Sequence, residues 1–184
     1  MRVITGAARG VPMATLPGED VRPTSQRVKE AMFSAIQFEI ADRRVLDAFA
    51  GSGQLGIEAL SRGAESCLFL ELDSKALEMV RQNLERTKLI DKAKLMQVDA
   101  VQYMRRMADT FDLILLDPPY GIQLLQTAIP IAAEKLNDDG IMICEAPTQE
   151  SLPEQCGDVR LHKTYKHGKT KLCVYRKSES ETEA

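Results

Sequence analysis

Residues 44–56 read Arg44-Val45-Leu46-Asp47-Ala48-Phe49-Ala50-Gly51-Ser52-Gly53-Gln54-Leu55-Gly56. The apolar run 44–50 predicts a strand that ends on Gly51. Residues 54–63 then carry a helical apolar period closed by Gly63. Strand, glycine turn and helix in this order open an α/β fold, and the alternation continues downstream. Strands are expected over 66–72, 93–99, 111–117 and 140–146. Helices are expected from Ser74, as cap, to about Lys88, over 100–108 and over 122–136. The first of these places Leu77, Val80, Leu84 and Met79 inward. The run 111–117 is the most continuously apolar and is expected at the sheet centre. Residues 158–177 predict two strands around His167-Gly168-Lys169. The pattern is a doubly wound, mostly parallel sheet with an antiparallel C-terminal hairpin.

Upstream, residues 1–23 hold Gly6, Gly10, Pro12, Pro17, Gly18 and Pro23, and are expected to form a small hairpin or irregular arm. Thr24 or Ser25 can cap a helix over about 26–40, with Val28, Ala31, Met32, Ala35 and Ile36 on its apolar face. The main domain is expected over 24–177, and the acidic tail 178–184 is expected to be disordered.

The chain has 184 residues, 44% of them hydrophobic and 28% charged, which excludes disordered and fibrous classes. No apolar run approaches membrane-spanning length, and the first ten residues lack a signal-peptide core, so a cytoplasmic protein is expected. Cys67, Cys144, Cys156 and Cys173 are far apart, without metal-ligand spacing, and read as reduced structural thiols. Net charge is −3, but unevenly spread. Residues 1–29 carry five basic and two acidic groups, residues 30–157 carry 12 and 21, and residues 158–177 carry seven and one. Basic ends around an acidic middle are compatible with an anionic partner or with an ordinary solvated surface.

The glycines 51, 53 and 56 spell G-x-G-x-x-G, and a side chain at Gly51 or Gly53 is expected to occupy a ligand's path. Glu71, at the end of the second strand, stands where a carboxylate accepts two ribose hydroxyls. That much fits NAD and S-adenosyl-L-methionine equally. Asp47, four residues before Gly51, separates them. D-x-x-x-G-x-G resembles motif I of the class I S-adenosylmethionine-dependent methyltransferases. The resemblance implies a Rossmann-like methyltransferase fold, Asp47 holding the cofactor's amino group and Asp99 accepting from its adenine. The remaining candidate cofactor contacts are Ala50, Ser52, Leu72 and Ala100.

Asp117-Pro118-Pro119-Tyr120 follows the most apolar strand. It resembles motif IV, [DNS]-P-P-[FYW], of methyltransferases acting on exocyclic amines. Such an amine is a poor nucleophile because its lone pair is delocalised into the ring. The Asp117 carboxylate and the Pro118 carbonyl are both acceptors and can orient one NH₂. The Pro118-Pro119 turn holds them rigidly, and Tyr120 offers a face for stacking a base. Asp117, Pro118, Pro119 and Tyr120 are the candidate catalytic group.

Arg22-Pro23-Thr24-Ser25-Gln26-Arg27-Val28-Lys29-Glu30 puts cations at a helix start, against its dipole. Arg22, Arg27 and Lys29 therefore suggest an anionic ligand. R-V-I-x-G-x-x-R-G from Arg2, R-P-T-x-x-R-V-x-E, D-x-F-A-G-S-G-x-L-G-x-E-A-L-S-R-G-A and D-P-P-Y, in this order, together resemble the RsmD family of 16S rRNA guanine-N2-methyltransferases. The resemblance spans Arg2 to about Tyr175. It implies methylation of one guanine N2 in small-subunit rRNA, within a partly assembled subunit; a monomer is expected. Candidate substrate contacts are Arg22, Thr24, Arg27, Lys166, Lys169 and Lys171. The residues by themselves leave open a DNA or RNA adenine-N6 methyltransferase, and a non-catalytic RNA-binding assembly factor.

Overall fold

The computed structural model describes residues 1–15, 23–119 and 124–177. Eight strands form one sheet: β1 (Arg44–Asp47), β2 (Ser66–Glu71), β3 (Ala93–Gln97), β4 (Phe111–Leu116), β5 (Leu136–Pro147), β6 (Gln155–Cys156), β7 (Val159–His167) and β8 (Thr170–Lys177). Their order is β3-β2-β1-β4-β5-β8-β7-β6. The first five are parallel, and β8, β7 and β6 extend the sheet antiparallel. The expected α/β architecture, central β4 and C-terminal hairpin are all present, and the short β6 is an addition.

Helices α1 (Pro23–Ala35), α2 (Gln54–Ser61), α3 (Ser74–Thr87), α4 (Ala100–Arg106) and α5 (Leu124–Ala133) cover both faces. One core packs α1, α2 and α3 on the face bearing Val45, Phe69, Leu113 and Val174. The other packs α4 and α5 on the face bearing Leu46, Leu70, Ile114 and Tyr175. The strand alternation thus sorts side chains between two helix layers.

Several boundaries differ from the sequence expectation. Helix α1 starts at Pro23, so Thr24 and Ser25 lie in its first turn instead of capping it. Proline's fixed φ suits that first position. The helix ends at Ala35, and Glu39 N–H closes a turn on the Ile36 carbonyl. Ser74 does not cap α3: the Asp73 carboxylate accepts from Lys75 and Ala76 N–H, a stronger cap than a hydroxyl at the dipole's positive end. Strand β5 begins four residues early because Leu136 already pairs with Phe111, ahead of a register shift.

Residues 1–15 are built into the domain. Val3, Ala8 and Met13 are buried in the first core. An antiparallel bridge joins Arg2 to Pro12. The arm docks on α2 through Glu58, whose Oε2 and Oε1 accept from Ile4 and Thr5 N–H at 2.8 and 3.0 Å. Ser61 Oγ donates to the Thr5 carbonyl at 2.6 Å and accepts from Ala8 N–H at 3.0 Å. Gly6, at φ +89°, lies against this helix so closely that a Cβ would stand 1.8 Å from the Ser61 carbonyl oxygen. The polar residues of E-A-L-S-R-G therefore serve as the arm's berth.

Candidate active site

Strand order reverses around β1, which pairs with β2 on one side and β4 on the other. A crevice opens at the carboxyl ends of such strands. In register, Asp47 is level with Phe69 and Leu115. Glu71 and Asp117 therefore stand two residues, about 7 Å, further out along their strands. Asp99 lies two residues beyond Gln97, the partner of Glu71. The four acids line one rim, with Asp47 at its floor.

Asp47 is buried, and its Oδ2 accepts from Gly56 N–H at 2.9 Å. Its Oδ1 is buried without a hydrogen-bond partner. Burial pushes its carboxyl up to about 7, the Gly56 N–H opposes the shift, and the charge of Glu71 adds to it. A buried acceptor of this kind suits a cationic donor.

Glu71 holds the glycine loop. Its Oε2 accepts from Gly51 N–H at 2.8 Å and its Oε1 from Asp73 N–H at 2.9 Å. Each oxygen keeps a lone pair for a further donor. Leu72 beside it is 65% exposed, one of two large apolar side chains so exposed among the described residues. Asp99 caps α4, its Oδ1 accepting from Gln102 N–H at 2.8 Å. Ala50 and Ala100 are buried, and Ser52 is buried with its Oγ accepting from Gln54 Nε2 at 3.1 Å.

Gly51 and Gly53 have φ of 54° and 81°, the left-handed region that favours glycine. The expectation for Gly53 needs correction. A Cβ there would meet Val80 Cγ1 at 3.0 Å and Ile57 Cδ1 at 3.2 Å, inside the fold and not in a ligand's path. Gly56 serves packing: a Cβ would stand 2.3 Å from Phe69 Cε1.

Asp117 follows β4 directly and is half-buried, Pro118 is buried and Pro119 is exposed. Tyr120 and Arg22 lie outside the described residues. Thr24 lies in the first turn of α1, and Arg27 is exposed one turn on. Lys29 is corrected from an anion contact to a structural cation. It is buried, with Nζ 3.9 Å from Glu58 Oε2. Burial pulls its ammonium below the ordinary lysine range, with Glu58 opposing.

At the hairpin, Lys163, Lys166 and Lys169 are exposed. Lys171 is half-buried and donates to the Glu150 carbonyl, so its charge is already engaged. It faces Lys166 across the strand pair. The hairpin tip is pinned to the end of β5: Pro147 pairs with Thr170, and Thr148 N–H donates to the Lys169 carbonyl at 2.9 Å. Lys166 on β7 thus shares the carboxyl rim with Asp117, about 14 Å away across three strand spacings.

Asn83 is a residue that the sequence reading passed over. It is fully buried on α3. Its Nδ2 donates to the Ser52 and Ala14 carbonyls, both at 2.9 Å, and its Oδ1 accepts from Ala14 N–H at 2.8 Å. The one available signal was an amide among the inward positions Val80 and Leu84.

The family model described as "Conserved hypothetical protein 95" matches residues 1–176. The chain belongs to this family. Among the family's relatives of this chain, "Putative rRNA methyltransferase YlbH" of Bacillus subtilis is 38% identical over 182 residues, covering 96% of this chain and 99% of that protein. "Ribosomal RNA small subunit methyltransferase D" of Escherichia coli is 30% identical over 189 residues, covering 100% and 94%. A solved structure named "Putative methyltransferase yhhF from Escherichia coli" matches with TM-score 0.87 at 29% identity, covering 97% of this chain and 98% of that one. The fold is the Rossmann-like class I methyltransferase fold, and the resemblance read from the motifs is borne out at family level.

Proposed function

We propose that this protein is an rRNA methyltransferase that moves a methyl group from S-adenosyl-L-methionine to the N2 amine of a guanine in 16S rRNA. One observation carries the reading: a buried, unpartnered Asp47 oxygen and a half-bonded Glu71 lie on the same rim as Asp117-Pro118. The names of the relatives support methyl transfer to small-subunit rRNA. The choice of guanine N2 rests on the motif resemblance.

The site fits the cofactor. Asp47 Oδ1 offers a buried acceptor for the amino group, Glu71 keeps two lone pairs for ribose hydroxyls, and exposed Leu72 offers an apolar face near Asp99. When bound, S-adenosyl-L-methionine supplies an electrophilic methyl on sulfur. Asp117 and the Pro118 carbonyl accept from the substrate amine, turning its lone pair toward the crevice. The target base must leave its stack to reach them. Tyr120, Arg22, Thr24 and Arg27 are assigned to base and backbone contact. A partly assembled small subunit as substrate, a monomeric enzyme and a cytoplasmic location complete the proposal.

Mass spectrometry of rRNA nucleosides from a strain lacking the gene tests it. We expect loss of N2-methylguanosine from 16S rRNA, restored by purified protein and cofactor, better on partly assembled particles than on naked RNA. Loss of N6-methyladenosine instead would replace guanine by adenine as the target, and an unchanged nucleoside profile would overturn the reading.

A further inference from the structure

The glycine loop is tethered from β2, β1 and α3 and by one hydrogen bond of its own. Gly51 N–H donates to Glu71, Gly53 N–H to the Ala50 carbonyl at 2.7 Å, and Gly56 N–H to Asp47. The Ser52 carbonyl, between two left-handed glycines, is held by Asn83. That peptide is held at both ends, its Gly53 N–H by the Ala50 carbonyl and its Ser52 carbonyl by Asn83, and Gly53 beside it places little steric restriction of its own on the rotation. The same Asn83 amide closes a two-way pair with the backbone of Ala14 on the N-terminal arm. All three of its polar hydrogen-bonding functions are thereby satisfied within the fold. Helix α3 backs this arrangement with Val80, one turn earlier, lying beneath Gly53.

We infer that Asn83 is a positioning residue that fixes the Ser52 peptide of the cofactor loop and ties it to Ala14, making the N-terminal arm a working part of the cofactor site. The inference rests on the methyltransferase reading above. Asn83 touches the crevice only through the backbone it holds. Its consequence is coupling: ordering the loop must order the arm at Ala14, and the reverse holds equally.

Two measurements test this. In Asn83→Asp the acceptor toward Ala14 N–H survives, but an oxygen replaces the donor facing the Ser52 and Ala14 carbonyls. We expect calorimetry with S-adenosyl-L-methionine to show Kd raised at least tenfold. Tyr175→Phe is the stability control. It removes the Tyr175 hydroxyl bond to the Pro153 carbonyl in the opposite core, and should lower Tm while leaving Kd within twofold. In the wild-type protein, which needs no variant to fold, adding cofactor should slow amide hydrogen exchange at Ala14. Exchange at Val3, bonded within the arm to Val11, should change less. The inference is overturned by an Asn83→Asp shift no larger than that of Tyr175→Phe, or by unchanged Ala14 exchange. Failure of the wild-type protein to bind the cofactor at all would instead sink the methyltransferase reading.

Discussion

A carboxyl pushed up to about 7 in a buried crevice makes Asp47 the residue whose charge the ligand must set. Its folded value lies above the ordinary 3.8. The folded state therefore holds a proton that the unfolded chain has lost between about pH 4 and 7, and Asp47 alone makes stability fall as pH rises through that window. A cationic amino group at Oδ1 favours the ionised form. Binding below pH 7 must then release a proton, and affinity must weaken as pH falls. Calorimetry at pH 6 in buffers of different ionisation enthalpy should show this release, and Asp47→Asn should abolish it. Asp117 acts on the other reactant. Asp117→Ala should keep cofactor affinity within twofold but lose about 10²-fold or more in methyl transfer, the scale of one electrostatic contact at a reacting group. Near wild-type turnover of that variant would remove Asp117 from the chemistry.

The contrast among the three glycines shows what a motif means for an element. Gly56 brings α2 down onto β2, and a Cβ would press on Phe69 at 2.3 Å and Cys67 Sγ at 2.8 Å. Phe69 is fully buried and cannot swing away. Gly56→Ala should therefore cost about 1–3 kcal/mol of unfolding free energy through overpacking, read as a lower urea midpoint with an unchanged m-value. Adding Phe69→Leu should recover part of the loss; no recovery would place the strain elsewhere. Elements of this kind were legible because strand and helix periods run cleanly from 44 to 147. The ends were less so. Asp73 took the cap from Ser74 because a carboxylate beside the helix dipole outbids a hydroxyl, which the pattern alone does not rank. At the site, the carboxylates at strand ends were legible from spacing. The Asn83 clasp and the Lys29–Glu58 pair were not, because each joins segments that only the tertiary fold brings together, the arm to α3 and α1 to α2.

Over the whole molecule, charge is arranged by the fold and not by chain order alone. Residues 159–177 contain no acidic residue, and the sheet carries the tip of their hairpin to the end of the rim that begins at Asp99. Three of their cations are occupied structurally, Lys177 by Asp138 and Asp158 at 3.1 and 3.5 Å. Arg176 pairs with Glu39 through two bonds of 2.8 and 2.7 Å, joining β8 to the turn after α1, and Lys171 is held by Glu150. Lys163, Lys166 and Lys169 remain exposed, on an edge where lysines also serve to discourage strand pairing. Salt dependence separates the two roles. Phosphate contacts release counterions, so each lost contact lowers the log–log slope of rRNA affinity against salt by about 0.7–0.9. Replacing all three lysines with glutamate should weaken rRNA binding and flatten that slope by about two. Cofactor affinity should stay constant, since the tip is pinned to Thr148 about 14 Å from the crevice and touches none of the loop's tethers. A salt series on rRNA, with cofactor titration as control, reads both quantities. An unchanged slope would leave these lysines as guards of an open sheet edge and return RNA contact to the segment around Arg27.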